Sequence, residues 1–351
     1  MKGAAVALDA LNGREAAALV IDGALEDLWI DGPLPFEGAA PGSIHRGVVG
    51  RPAKGQGGVF VEIGGGRGFL RQARGLAPGD ALLVQVSGAA EPGKAPPVTP
   101  KVIHKSRHAI VTPGAPGLNV SRAVRDDAAR DRLELLLREA AAATARPDGA
   151  GIILRSAAEH APEEEVAADV AAMCALARQV ADDDGAGPEL LVAGDGAHVS
   201  AWCEMPQGAT VDREPGSFAR LGVLEMLDAL LAPEVPLGGG ALMHVEPTRA
   251  LTAVDVNTGA DLSAAAGLRA AVAAARALPR QLRLRGLGGQ VVVDFAPFPK
   301  KDRRTVEQAL TGALRGGGRG SVIGWTGLGH LELTVKRERM PLADALAGAL
   351  S

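Results

Sequence analysis

LTAVDVNTG at residues 251–259 and QVVVDFAPF at residues 290–298 are the two stretches that determine the fold class of this chain. Each is a short apolar run rich in β-branched residues, a pattern typical of a buried strand. The residues between them have a helical composition, and strand, helix, strand in sequence is the unit of a parallel sheet. We therefore predict an α/β region from Ala250 to Phe295.

An aspartate lies near the carboxyl end of each predicted strand, Asp255 in the first and Asp294 in the second. A carboxylate removed from water needs a cation, a hydrogen-bond cage or a metal. Ligands of α/β sheets collect beyond the carboxyl ends of the strands, so the two carboxylates are expected to share a metal ion. Asn257 lies two residues beyond Asp255, on the same side of the strand. Oxygen ligands favour Mg²⁺, with Mn²⁺ as an alternative, for chemistry on phosphate.

Basic residues surround this region of the sequence. Eight cations and two acids occur between Arg276 and Arg304. Three arginines at the end of the predicted helix are expected to lie close to the metal, and four more cations follow the second aspartate: Arg280, Arg283 and Arg285, then Lys300, Lys301, Arg303 and Arg304. With the paired carboxylates, this pattern suits phosphodiester hydrolysis, in which cations hold the nucleic-acid backbone. The alternative is a solvated basic helix.

Length, composition and charge limit the class of protein to which this chain belongs. The chain has 351 residues, 47% of them hydrophobic, which is enough for two or three cored domains. Its formal net charge is -4, which argues against a wholesale polyanion binder. The segment 42–112 nevertheless carries ten Lys or Arg against three acids, a local balance of +7. A basic module in an acidic chain favours a nucleic-acid-binding face.

This basic segment reads as several short strands separated by Gly and Pro, which predicts a small closed β-barrel over residues 42–112. Phe60 and Phe69 lie in neighbouring strands, with Lys94 in a later loop. Aromatic side chains and cations on one barrel face are what single-stranded RNA requires for stacking. The alternative is that both phenylalanines belong to the core. The GGGRG runs that begin at Gly64 and Gly316 are interpreted as turns.

After the barrel the pattern becomes helical. We predict a helix from Asp126 to Ala143, a strand in AGIILRSAA, and a second helix from Pro162 to Ala181. Arg155 and Ser156 end that strand, and a guanidinium beside a hydroxyl is able to hold a terminal phosphate. ADDDGAGP, at residues 181–188, is interpreted as a surface linker. A strand, ELLVA, and one amphipathic helix, SFARLGVLEMLDALLA, then follow.

Other site types have little support in the sequence. No run of about eighteen apolar residues occurs and the N-terminus has no signal core, so we expect a cytoplasmic protein without a membrane partner. Cys174 and Cys203 are far apart and outside any CxxC motif, so no structural zinc site is expected. None of the seven histidines lies in an evident catalytic relay.

The two aspartate stretches resemble those of the ribonuclease E/G endoribonucleases, and the resemblance runs through most of the chain. Its strongest part is LTAVDVNTG followed by RQLRLRGLGGQVVVDF. The resemblance implies that Asp255 and Asp294 bind a metal and that Asn257 belongs to the catalytic set. The implied activity is Mg²⁺-dependent cleavage of single-stranded RNA that leaves 5′-phosphate and 3′-hydroxyl ends.

Further motifs of the same family concern RNA binding. GVFVEIG and RGFL resemble RNA-contacting strands of an OB-fold domain, which implies that Phe60 and Phe69 contact RNA, and PGKA implies the same for Lys94. PGLNVSR and IILRSA resemble the segment that senses a 5′-monophosphate, which implies a sensor role for Arg155 and Ser156.

The resemblance also implies an α/β, multidomain α+β architecture. The expected parts are an RNase H-like scaffold at 1–38 and 188–232, an OB-fold RNA-binding domain at 39–112, a 5′-sensor region at 113–187, and a DNase I-like catalytic domain at 233–351.

The chain departs from the family pattern in several places. The CPxC zinc-link of the family is missing, so a zinc-linked dimer is not expected. Gly327 and Val335 stand where the family usually has arginines, and His330 stands where an aliphatic residue is usual. A metal-dependent endoribonuclease remains the favoured interpretation. The alternatives are a catalytically weakened RNA-binding or regulatory protein of the same family, and a metal-dependent α/β enzyme acting on a small molecule.

Overall fold

The computed structural model describes residues 3–53, 55, 57–71, 74–91, 93–315 and 320–347. The chain divides into two compact units. One contains residues 7–33 and the chain from Asp212 onward, and the other contains residues 3–6 and 34–211. The barrel and the predicted sensor region belong to the second unit, whereas the two aspartate strands belong to the first.

The N-terminal strands are β1 (Ala4–Leu11), β2 (Arg14–Ile21) and β3 (Ala24–Ile30). β2 and β3 form a hairpin in which Ile21 is paired with Ala24. Its two turn residues, Asp22 and Gly23, have φ angles of 49° and 78°. Positive φ at both central positions matches the twist of a two-residue hairpin, and a glycine is adapted to it.

The predicted barrel is present. Its strands are β4 (Ile44–Ala53), β5 (Gly58–Ile63), β6 (Gly66–Leu70), β7 (Ala81–Val86) and β8 (Pro97–Thr99). They follow the order β4-β5-β6-β8-β7, and pairing between β7 and β4 closes a five-stranded barrel of the OB type. Small aliphatic side chains fill it because the chain offers few aromatics: Val49, Val59, Val61, Ile63, Leu70, Val84, Val86 and Val98. The first GGGRG run was predicted to be a turn, but only Gly64 and Gly65 form the β5–β6 turn and the remaining three residues begin β6. Residues 316–319 of the second run lie outside the described residues.

A second sheet follows, with helices packed on it. Its elements are β9 (His104–Lys105), β10 (Ala109–Thr112), β11 (Leu118–Val120), α1 (Asp127–Ala143), β12 (Gly151–Leu154) and α2 (Glu163–Ala181). The strand order is β11-β12-β10-β9. Both predicted helices are confirmed. The prediction that residues 104–112 belong to the barrel is wrong, because β10 pairs with β12 instead.

The segment after α2 also differs from the prediction. β13 (Glu189–Val192) pairs with barrel strand β4 and so extends the barrel sheet, although residues from 188 onward were expected in the scaffold. The preceding linker is anchored by the buried Arg46. Its guanidinium donates to both carboxylate oxygens of Asp183 at 2.7 Å and to the carbonyl oxygen of Gly187 at 2.6 Å. α3 (Ala197–Glu204) and β14 (Thr210–Asp212) complete this part of the chain.

The single amphipathic helix expected after β14 is two helices, α4 (Ser217–Arg220) and α5 (Val223–Leu231). Gly222 separates them with a φ of 68°, and a glycine in the left-handed region ends a helix. Phe218, Val223, Leu227 and Leu230 nevertheless face one shared core with strands β2 and β3.

The remaining elements form the sheet that carries the two aspartates. They are β15 (Glu234–Gly238), β16 (Ala241–Pro247), β17 (Thr252–Asn257), α6 (Ala264–Leu284), β18 (Gly289–Phe295), α7 (Arg303–Arg315), β19 (Gly320–Trp325), β20 (Leu331–Val335) and α8 (Leu342–Leu346). The strand order is β15-β16-β17-β18-β20-β19. β17 and β18 are parallel and are joined by α6, which confirms the predicted strand-helix-strand unit. One face packs on α6 and α7 around an aliphatic core, and the other face is open.

Candidate active site

Asp255 and Asp294 are paired directly across the parallel β17–β18 ladder. Val254 and Val256 on one strand, and Val293 on the other, are buried in the helix-covered core. Side chains alternate along a strand, so both aspartates project from the opposite, open face near the carboxyl ends of their strands. The valine alternation therefore holds two like charges side by side in solvent.

Asn257 lies on the same face as Asp255 and binds it. Its amide nitrogen Nδ2 donates to Asp255 Oδ2 at 2.5 Å. This bond fixes one carboxylate oxygen and leaves the other carboxylate oxygen of Asp255 for a ligand. Two adjacent carboxylates repel each other, and a divalent cation between them removes that repulsion. The donor set therefore fits Mg²⁺ or Mn²⁺, which commonly take one or two carboxylates and complete their coordination with water and substrate oxygens.

Two histidines flank the carboxylate pair, a feature that the sequence analysis missed. His244 on β16 is paired directly with Asp255, and Glu234 on β15 is paired with His244. On the other side, His330 Nε2 lies 3.7 Å from Asp294 Oδ1. Alternation along β16, where Met243 and Val245 are buried, was a signal for the outward direction of His244. His330 gave no such signal, because it lies in the turn before β20.

The three arginines near the end of α6 do not lie beside the aspartates, so that prediction is wrong. α6 begins after the carboxyl end of β17 and ends before the amino end of β18, which is the opposite edge of the sheet. There Arg283 donates to Glu26 Oε1 at 2.6 Å, and Arg280 lies 3.5 Å from the same carboxylate. Arg285 is buried and donates to the carbonyl oxygen of Ala232 at 3.0 Å, and burial lowers the pKa of its guanidinium. These contacts hold α6 in place.

The cations that do reach the aspartate edge are those after β18. Lys300, Lys301 and Arg304 are exposed, and Arg303 is half-buried. Lys300 and Lys301 lie in a short 3-10 helix that precedes α7, whereas Arg303 and Arg304 are the first residues of α7. α7 leaves the sheet at the carboxyl end of β18. Of the two positions where arginines were expected, Gly327 lies in the β19–β20 turn at this edge. Val335 is paired with Gly289, at the opposite end of β18.

The predicted stacking residues of the barrel lie together. Phe60 on β5 is paired with Phe69 on β6, and their ring centroids are 5.5 Å apart. Their neighbours Val59, Val61 and Leu70 are buried, so alternation directs both rings to the outer face of the barrel. The guanidinium of Arg67 lies 4.6 Å above the Phe60 ring, a cation that the sequence analysis did not select. Lys94 is exposed and donates to Glu91 at 2.6 Å.

Arg155, the predicted sensor arginine, has protein partners. Its Nη1 donates to the carbonyl oxygens of Ser106 at 2.7 Å, Arg107 at 3.2 Å and Cys203 at 3.0 Å, and its Nη2 donates to Glu204 at 2.7 Å. Burial alone would raise the pKa of Glu204, but its bonds and charge interactions with Lys105 and Arg155 lower it. The guanidinium thus links its own strand to residues 106–107 and 203–204. Because these contacts occupy it, the guanidinium is not free to bind phosphate. Ser156 is exposed.

Two further findings concern site types. In the part of the chain that the structure describes, three or more His, Cys, Asp or Glu side chains do not gather into a potential metal cage. Among the helices of the described residues, none has both the length and the apolarity that crossing a membrane requires. Cys174 is buried, whereas Cys203 is partly exposed.

An open sheet face with paired carboxylates, in a chain that also has an OB-type barrel, is an arrangement suited to chemistry on nucleic acids. Comparison with known families identifies the family of the chain. The sequence model of the Ribonuclease E/G family matches residues 105–206 and 204–338. The chain belongs to the ribonuclease E/G family.

Curated relatives support the same assignment. Ribonuclease E of a Nostoc species is 29% identical over 356 residues, which cover 85% of this chain and 51% of the relative. Ribonuclease G of Escherichia coli is 26% identical over 373 residues, covering 87% of this chain and 74% of the relative. Ribonuclease E of a Synechocystis species is 27% identical over 312 residues, which cover 77% of this chain and 45% of the relative. The chain therefore spans about half the length of the ribonuclease E relatives.

Proposed function

We propose that this protein is a metal-dependent endoribonuclease that uses Mg²⁺, with Mn²⁺ as an alternative, to cleave single-stranded RNA in cytoplasmic RNA processing or decay. The products would be 5′-phosphate and 3′-hydroxyl ends. The observation that carries the proposal is the direct pairing of Asp255 with Asp294 on the open face of the sheet, in a chain of a ribonuclease family.

In this proposal the two carboxylates hold the metal, and Asn257 keeps Asp255 in position. When bound, the metal supplies a water of lowered pKa and charge stabilisation for the phosphate oxygens. Hydrolysis would join a water oxygen to phosphorus as the bond from phosphorus to the 3′-oxygen breaks. The water would lose its proton to solvent, and the 3′-oxygen would take up a proton. The cations that follow β18, from Lys300 to Arg304, are on the same edge and hold the RNA backbone.

The barrel supplies RNA binding. Phe60 and Phe69 present adjacent aromatic rings on its outer face, and bases stack on such rings without sequence preference. Arg67, above Phe60, adds a cation at the same place, and Lys94 lies in the loop that leads into β8. Single strands are favoured over duplexes because only unpaired bases expose their faces.

The direct test is cleavage of a short fluorescent, AU-rich single-stranded RNA in the presence of Mg²⁺. Wild-type protein, the Asp294→Asn variant and wild-type protein with EDTA are compared, and the product ends are identified by ligation and phosphatase treatment. Cleavage by metal-loaded wild type alone supports the proposal. Undiminished cleavage by Asp294→Asn would remove the site assignment.

A catalytically weakened RNA-binding or regulatory protein is the second candidate. The observation that favours it is Gly327, which leaves the turn beside the aspartates without a lysine or arginine. RNA binding without metal-dependent cleavage, at any enzyme concentration, would establish this candidate. Turnover that disappears in the aspartate variants excludes it.

A further inference from the structure

Three aromatic rings form a cluster at the edge of the sheet where β18 ends. The ring centroids of Phe295 and Phe298 are 6.0 Å apart, and each ring lies within 6.0 Å of the indole of Trp325. All three side chains are partly exposed and pack against the core beneath the sheet. The cluster fixes the position of Trp325.

The guanidinium of Arg303 lies on this indole, with its central carbon 4.4 Å from the ring centroid. The nearest acid along α7 is Glu307, one turn further on, and it accepts the Trp325 indole N–H at 2.5 Å. No acid in the described part of the chain forms an ion pair with Arg303. The guanidinium is therefore positioned by its face, while its N–H edges have no anionic partner among the described residues.

This guanidinium lies above the turn that connects β19 to β20. A Cβ built on Gly329 would be 3.4 Å from Arg303 Nη2. The next residue in the turn is His330, whose Nε2 lies 3.7 Å from Asp294. The Arg303 guanidinium thus lies beside Gly329. The next residue, His330, contacts Asp294, the candidate metal ligand.

A stacked guanidinium is well suited to bind phosphate. Its planar fork matches two oxygens of a phosphate, and a charge-assisted pair of this type is stronger than a neutral hydrogen bond. The indole restricts the rotamers of Arg303 in advance, so less side-chain entropy is lost when the ligand binds. A surface guanidinium without this support would lose that advantage.

We propose that Arg303 binds the RNA phosphate next to the scissile one, and that Trp325 is a positioning residue that holds the guanidinium in place. This inference rests on the proposed function, since it assumes that RNA lies across the aspartate edge. The glycines at 327 and 329 give the backbone of the RNA access to the guanidinium.

The test measures binding of a short single-stranded RNA to the full chain in EDTA, so that cleavage does not contribute. Arg303→Ala is expected to weaken binding about tenfold and to lower the slope of log K against log salt by about 0.7. Arg315→Ala, at the other end of α7, removes the same charge and is the matched control. Arg303→Lys and Trp325→Leu should give intermediate losses, because each keeps the charge and removes the stacked geometry.

A scan of methylphosphonate substitutions, which neutralise one phosphate at a time, locates the contact. Among the positions at which wild type loses affinity, one beside the cleavage site should have no effect on Arg303→Ala. Gly327→Arg has open space around its Cβ and should restore part of the binding of Arg303→Ala. Equal effects of Arg303→Ala and Arg315→Ala on binding would overturn the inference. The same methylphosphonate profile in wild type and in Arg303→Ala would also overturn it. Metal-dependent cleavage by wild type would stand in that case.

Discussion

Asp255 and Asp294 are direct neighbours across two parallel strands, although 38 residues separate them in the sequence. Each is exposed because the valines beside it are buried, so the same alternation that builds the core also exposes the charges. His244 and His330 lie on either side of the pair, His244 paired with Asp255 across the antiparallel ladder and His330 near Asp294. The sheet therefore brings groups from four chain segments into one row.

Replacing either aspartate with asparagine should reduce metal-dependent cleavage by about a thousandfold or more, because the metal contributes several kcal/mol to the transition state. RNA affinity in EDTA should change little, since neither carboxylate attracts a polyanion. Single-turnover cleavage and equilibrium binding measure the two effects. Glu332→Gln changes an exposed acid on the open face of β20, opposite Val292, and is the control. A comparable loss in that variant would argue against a specific metal site.

Replacing Phe60 or Phe69 with alanine should weaken binding of single-stranded RNA by about tenfold, because stacking on an aromatic ring contributes about 1–3 kcal/mol per base. Leucine at either position keeps apolar area on the barrel face and removes the aromatic surface. Fluorescence anisotropy with a labelled oligonucleotide compares the alanine and leucine variants at each position. Full affinity in the alanine variants would indicate that the two rings serve only the packing of the barrel.

Arg155→Ala should lower the free energy of unfolding by about 2–4 kcal/mol, since three carbonyl groups lose this donor and Glu204 loses one of its two cationic partners. Urea denaturation measures the change. Arg178→Ala removes an exposed arginine that pairs with Asp182 on the surface and should cost much less. Equal stabilities of the two variants would show that the contacts of Arg155 are unimportant for folding.

Recognition of a 5′-phosphate is tested separately on the exposed Ser156. If this residue senses the 5′-end, wild type should cleave a 5′-monophosphorylated RNA faster than the same RNA with a 5′-hydroxyl. Ser156→Ala should reduce that ratio without changing the rate on the 5′-hydroxyl substrate. Equal rates of wild type on both substrates would remove the sensor role and leave the catalytic proposal unaffected.

His104 should make the protein less stable in mild acid. The side chain is only 3% exposed, and within the described residues neither ring nitrogen has a hydrogen-bond partner. Burial lowers its pKa from 6.5 to about 4. The unfolded chain therefore binds a proton below pH 6.5 that the native protein does not, so stability falls as the pH drops from 6.5 towards 4. The full effect is about 3 kcal/mol.

Urea denaturation at pH 7 and at pH 4.5 compares wild type with His104→Leu. The leucine variant should lose less stability between these pH values, because it has no imidazole to protonate in the unfolded state. His160→Leu changes an exposed histidine and should behave like wild type. An unchanged pH dependence in His104→Leu would contradict the prediction.

The sequence by itself determined the elements with strong local signals. Valine runs predicted β17 and β18, short strands between glycines predicted the barrel, and Asp126 and Pro162 marked the starts of two helices. The same local signals selected Asp255, Asp294 and Asn257 as candidate site residues. The strand period alone places residues 255 and 257 on one face. Gly222 was a local signal for a helix break, and the amphipathic pattern on either side concealed it.

The tertiary structure decided what depends on pairing between distant segments. Strand order assigned β10 to the second sheet and β13 to the barrel, and the reversal of direction through α6 moved its arginines to the edge opposite the aspartates. The partners of Arg155, the approach of His330 to Asp294 and the stacking of Arg303 on Trp325 likewise join residues that no periodicity relates. Local propensity acts over a few residues, whereas these contacts exist only after the sheets have formed.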